Sequence, residues 1–122
     1  MAGKQKIMYV QTSGVNTPER LYSPFVLAAT AKATDIDAII YFLGSGITVV
    51  KNGAAENVKV GAFPPLSDMM KQAIDAGVEI MVCEQSTQLM NMDRGDFVPE
   101  AKIVGAATLN DLVLECDGVM WF

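Results

Sequence analysis

Short, almost unbroken apolar runs alternate with stretches whose apolar residues recur at helical spacing, and this alternation limits the fold more than any other feature. The clearest run is Ala38-Ile39-Ile40-Tyr41-Phe42-Leu43, apolar throughout, as a strand covered on both faces of a sheet must be. Val78-Glu79-Ile80-Met81-Val82-Cys83 is a second. Ile7-Met8-Tyr9-Val10, Ile103-Val104-Gly105 and Val119-Met120-Trp121-Phe122 complete the set. Leu66, Met69, Met70, Ala73 and Ile74 fall on one helix face, and Gly77 is placed to cap that helix at its C-terminus. Strands separated by helices pair in parallel and carry helices on both faces. The predicted fold is α/β, a three-layer α/β/α sandwich with a mainly parallel sheet of about five strands.

The remaining helices follow from capping residues. Thr17 reads as an N-cap, with Pro18 at the first helical position and Glu19 beside the positive end. Leu21, Phe25, Ala28 and Ala29 continue that helix, which either kinks at Pro24 or restarts with Ser23 as its cap. Ser86 to Met92 reads as a short helix, and Ile47 to Val50 as a helical turn. Thr108 is read as the cap of a last helix that buries Leu109, Leu112, Val113 and Cys116 and stops at Gly118. The polar stretch from Lys51 to Gly61 carries no clear periodicity.

A chain of 122 residues is expected to form one domain, residues 1–122. It is 51% hydrophobic and only 19% charged, which fits a sheet buried on both faces, apolar surface kept for an oligomer interface, or both. No run of about 18 apolar residues is present, so no membrane span is expected. The apolar stretch after Lys6 is too short for a signal peptide, and a cytoplasmic location is predicted. A net charge of −5 argues against nucleic acid or an anionic membrane as partner. With two cysteines and no histidine, triads that need imidazole and His-ligated metal sites are excluded, and neither metal nor organic cofactor is expected. In a reducing compartment both cysteines are predicted to be thiols.

Cys83 is the candidate catalytic residue because of its position. It ends a predicted strand, and in open α/β sheets the functional crevice lies beyond the carboxyl ends of the strands. Unpaired N–H groups and the positive end of a following helix favour a thiolate there, whereas the charge of Glu84 opposes it. The alternative is a buried cysteine acting as a small hydrophobe. Glu84, Gln85 and Ser86 turn the chain away from Cys83, and Met90 and Met92 either fill core or line an apolar pocket beside the thiol. Asn16, Thr17 and Arg20 follow the first strand and are predicted to rim the same crevice. Arg20 either stabilises a thiolate or binds an anionic sulfur substrate, or stands as an exposed helix-end charge. Cys116, flanked by Glu115 and Asp117, reads as core. Gly44-Ser45-Gly46 lacks the remaining residues of a phosphate loop and reads as a plain turn.

Three stretches together resemble the DsrE/DsrF-like family (DsrE/TusD-type), the group that includes the Tus sulfur-relay subunits. They are Thr17 to Ala28, which is similar to the family's opening helix, Val82 to Met90 around the strand-end cysteine, and Val104 to Leu109 ahead of the last helix. The resemblance implies that Cys83 is the family's sulfur-carrying cysteine. It also implies a sulfurtransferase or sulfur carrier that passes sulfane sulfur to an acceptor protein in sulfur oxidation or thiolation. The implied partners are TusA-like or rhodanese-like proteins, and the implied assembly is a homo-oligomer, a trimer or hexamer. The long segment from Lys51 to Pro65 departs from the family pattern and is expected to shape the entrance to the site. Two rival readings are a non-catalytic interaction subunit of such an oligomer and a thiol peroxidase or disulfide reductase. The second lacks a resolving cysteine or a Cys-x-x-Cys motif.

Overall fold

A computed structural model describes residues 4–122. Five strands, β1 (Lys6–Gln11), β2 (Asp37–Phe42), β3 (Glu79–Cys83), β4 (Ala101–Val104) and β5 (Gly118–Trp121), form one sheet in the order β4-β3-β2-β1-β5. Every pairing is parallel. The helices are α1 (Tyr22–Ala33), α2 (Leu66–Asp75), α3 (Glu84–Leu89) and α4 (Ala106–Glu115). This is the three-layer α/β/α sandwich that the alternating pattern predicts.

Crossover handedness explains why the two faces are unequally covered. The connections from β1 through β4 all step the same way across the sheet, so right-handed crossovers put their helices on one face. The connection from β4 to β5 steps back past β1, which sends α4 to the other face. The larger core accordingly joins Tyr9, Ile40, Phe42, Ile80 and Val82 to Leu21, Phe25 and Ala28 at the start of α1 and to Leu66 and Ala73 of α2. The smaller core joins Met8, Val10, Ile39, Tyr41, Met81 and Cys83 to Leu112 of α4. Each fully buried large side chain in either layer contributes about 1.5–3 kcal/mol by leaving water.

Several helix ends differ from the sequence-based expectation, each for a local reason. Thr17 heads only a three-residue 3-10 turn (Pro18–Arg20), and its hydroxyl donates back to the Gly14 carbonyl instead of capping forward. Helix α1 begins afterwards at Tyr22 with Leu21 in the N-cap position, which places Pro24 in the first turn, where a missing N–H leaves no bond unmade. The helix thus restarts at Tyr22, one residue before Ser23, with Leu21 rather than Ser23 in the cap position. Glycine 105, not Thr108, holds the N-cap position of α4, and Thr108 falls within its first turn. That helix ends at Glu115, leaving Cys116 extended as its C-cap, and Gly118 already belongs to β5. Reciprocal bonds draw the chain into the sheet at this point: the Lys6 N–H donates to the Asp117 carboxylate and the Asp117 N–H to the Lys6 carbonyl, both over 2.9 Å.

Candidate functional site

Cys83 closes β3, in register with Val104 of β4, and the chain turns into α3 at the very next residue. Its backbone stays extended (φ −68°, ψ 120°), which keeps its side chain on the face shared with Tyr41 and Met81. The thiol is 4% exposed. Leu112 lies across from it in the same cluster, and Leu109, Val104 and Cys116 pack at the edge of that cluster.

The turn that presents Cys83 is tied to the turn after β2. The Gly44 N–H donates to the Ser86 hydroxyl over 2.7 Å, and Ser86 is buried. The Thr87 hydroxyl donates to the Glu84 carbonyl over 2.6 Å, bracing the first turn of α3. Gly44 has φ +59°, a left-handed conformation that glycine adopts at no steric cost. Gly46 is needed for a different reason: its backbone lies against the Gln11 carbonyl, where a Cβ would collide. The carboxyl ends of β1, β2 and β3 are thus locked into one rim. Gly44-Ser45-Gly46 is the turn expected, and it opens a 3-10 segment (Gly44–Val50).

The candidate pocket residues fall into two groups. Glu84 and Gln85 are exposed at the start of α3, Ser86 is buried in the bond to Gly44, and Met90 is exposed just past the helix beside Leu89. Asn16, Thr17 and Arg20 lie after β1 at the same edge of the sheet, Asn16 and Arg20 exposed and Thr17 partly buried. The next residue, Leu21, enters the larger core on the opposite face from Cys83. Among the described residues no hydrogen bond or ion pair joins Asn16, Thr17 or Arg20 to the Cys83 segment.

The Lys51 to Pro65 segment does not enclose Cys83. It lines a cavity of about 330 Å³ between Tyr22, Leu27, Val60 and Phe63, and another of about 450 Å³ between Val15, Thr48, Lys51 and Asn57. Tyr22 fixes it to α1, donating from its hydroxyl to the Pro64 carbonyl over 2.8 Å. Among the described residues no group of three or more His, Cys, Asp or Glu is placed to hold a metal ion. No helix among them is long and apolar enough to cross a membrane.

The cysteines are both thiols. Burial pushes the Cys116 thiol above its ordinary range; Lys6 opposes this, and Glu115 and Asp117 reinforce it. One residue of the site escapes a reading of apolar runs. Tyr41 is fully buried, and its hydroxyl has no hydrogen-bond partner. The signal that would have found it is the register: Tyr41 pairs with Met81, two residues before Cys83 on the same face of the neighbouring strand.

The DsrE/DsrF-like family model matches residues 5–122, which includes the whole sheet, the rim and Cys83. The chain belongs to the DsrE/DsrF-like family. Membership makes it a protein of sulfur-relay type at the level of the family. Two uncharacterized proteins of Methanocaldococcus jannaschii are similar in sequence. MJ0760 is 27% identical over 103 residues, 84% of this chain and 38% of its own length. The chain therefore spans well under half of that relative. MJ0989 is 28% identical over 120 residues, 96% of this chain and 99% of its own length. Among solved structures, the YchN protein of E. coli superposes with a TM-score of 0.80 at 19% identity, covering 97% of this chain and 99% of YchN. MTH1491 of Methanobacterium thermoautotrophicum gives 0.69 at 13% identity, over 98% of this chain and 100% of its own. At such identities the likeness is one of fold alone, the DsrE-like sandwich.

Proposed function

We propose that this DsrE-like chain is a cytoplasmic sulfur carrier that holds sulfane sulfur on Cys83 and passes it to an acceptor protein. The observation that carries this reading is the place of Cys83, at the carboxyl end of β3 on the rim where α/β sheets do their chemistry, in a chain of a sulfur-relay family. One thiol suffices. The Cys83 thiolate attacks the outer sulfur of a donor persulfide; a bond forms to Cys83, the donor's S–S bond breaks, and its electron pair leaves on the donor's inner sulfur as a thiolate. Delivery is the same exchange in reverse order, with an acceptor thiolate attacking the outer sulfur and Cys83 leaving as thiolate. Nothing is oxidised or reduced overall. TusA-like or rhodanese-like proteins fit the roles of donor and acceptor, and the reading needs neither metal nor organic cofactor.

Apolar side chains on α4 and β5 support assembly into a homo-oligomer, a trimer or hexamer. Leu114 is 85% exposed and Trp121 58%, with Val113 and Met120 beside them in sequence also exposed. Such residues gain by burial against another copy.

The burial of Cys83 favours a second reading, a non-catalytic interaction subunit of the same oligomer. The two separate on sulfur release. Protein incubated with polysulfide and then washed is treated with a small thiol, and the sulfide released is measured. A carrier releases sulfide in proportion to protein, and Cys83→Ser abolishes it. An interaction subunit releases none, and its binding to a partner survives Cys83→Ala.

A further inference from the structure

Buried hydroxyls almost always find a partner, because one left unpaired in the interior forfeits its hydration for nothing. Tyr41 is an exception: its ring is fully buried in the smaller core, and its hydroxyl has no hydrogen-bond partner among the described residues, the Cys83 sulfur included. Cys83 is the neighbouring residue whose thiol acts on it. Both residues belong to the same cluster, Tyr41 on β2 and Cys83 one pleat further along β3. Burial first, and then the neighbouring Cys83, push Tyr41 far above the ordinary phenol range. Tyr41 therefore keeps its proton at any physiological pH and has it to donate. The approach to the neutral thiol falls short of regular hydrogen-bond geometry. A thiolate is a far better acceptor than a thiol, and it gives the orphaned hydroxyl the partner it lacks.

From this geometry we propose that Tyr41 is a positioning residue for Cys83, donating an O–H···S hydrogen bond to the sulfur whenever the sulfur is a thiolate. The proposal rests on the sulfur-carrier reading for its place in the reaction. When an acceptor thiolate takes the outer sulfur from the Cys83 persulfide, the new S–S bond forms on the acceptor and the bond to Cys83 breaks. The outer sulfur takes its own proton with it, and the electron pair stays on the Cys83 sulfur. Tyr41 moves no proton in this step. It receives the leaving thiolate in an apolar cluster that includes Met81, Leu112 and Leu109, where water solvates the charge poorly. The inner sulfur of the persulfide is a poorer acceptor, so Tyr41 favours the unloaded protein and speeds delivery.

The test compares Tyr41→Phe with Tyr41 in a Cys116→Ser background, so that every modification reports Cys83. Phenylalanine keeps the buried ring and removes only the unpaired oxygen, so the fold is retained. Alkylation of Cys83 by iodoacetamide, followed by intact mass, is measured at neutral pH and in strong alkali. The other ionisable side chain beside the sulfur in sequence is Glu84, exposed and unchanged by the substitution. Tyr41→Phe is expected to slow neutral-pH alkylation about tenfold, the size of one hydrogen bond to a charged group, with the two rates converging in alkali where both thiols are ionised. Delivery of loaded sulfur to a small thiol is expected to slow by a similar factor. Equal rates at neutral pH overturn the proposal, as does slowing by the same factor at both pH values, which would mean altered access. If alkylation responds as expected but the wild-type protein takes up no sulfur, the Tyr41 contact stands and the carrier reading fails. If sulfur loads on Cys83 and alkylation ignores Tyr41→Phe, the carrier reading stands and the Tyr41 proposal fails.

Discussion

The Gly44 amide donates to the Ser86 hydroxyl over 2.7 Å, and this bond fastens the turn after β2 to the helix that follows Cys83. Ser86 is 2% exposed and Gly44 partly buried. Ser86→Ala leaves the Gly44 N–H without an acceptor, at a cost of about 1–3 kcal/mol. Urea denaturation is expected to show that loss. Alkylation of Cys83 should also quicken, because α3 is no longer pinned over the rim. Unchanged stability together with unchanged alkylation would mean that the bond does not hold this turn in place.

Gly46 makes a sharper steric prediction. A Cβ there would meet the Gln11 carbonyl, backbone that is itself held in the sheet and cannot yield. Gly46→Ala is expected to destabilise the protein by about 3 kcal/mol through overpacking. Gly95 is the control, since a Cβ at that position meets nothing within 4 Å. Gly95→Ala should change stability by no more than about 0.5 kcal/mol. Thermal melts of the two variants side by side check the contrast.

The architecture was legible in the sequence because the strands are buried on both faces. Ala38 to Leu43 is apolar throughout for that reason, and Val78 to Cys83 is apolar apart from the exposed Glu79 that opens β3. Helix α2 was legible because its buried stripe is narrow and a glycine with φ +99° follows it. Helix starts were less so. Thr17 and Thr108 are both sound caps by composition, yet the Gly14 carbonyl takes the Thr17 hydroxyl and Gly105 begins α4 before Thr108 is reached. Those outcomes are as local as the caps they displace, the Thr17 bond spanning three residues, and composition alone does not rank such competing neighbours. The place of Cys83 at a strand end was readable; its burial beneath α4 and its neighbour Tyr41 were not, since the first follows from the crossover that sends α4 to that face and the second from the register between β2 and β3.

Cys116 sits where a thiolate is disfavoured. Its thiol is raised first by burial, with Glu115 and Asp117 adding and Lys6 opposing. In a Cys83→Ser background, its alkylation rate should go on rising with pH through a range where free cysteine has already levelled off. Lys6→Gln removes the opposing positive charge and should move the rise further into alkali. A Cys116 rate that levels off together with free cysteine would contradict this account of its surroundings.

Intact-mass analysis after incubation with polysulfide shows whether Cys83 carries sulfur. Wild type, Cys83→Ser and Cys116→Ser are reduced, loaded and weighed in parallel. A sulfur-carrying Cys83 gives a gain of one or more sulfur masses in wild type and Cys116→Ser, reversed by reductant and absent in Cys83→Ser. A mass gain that persists in Cys83→Ser, or no gain in any of the three, would contradict it.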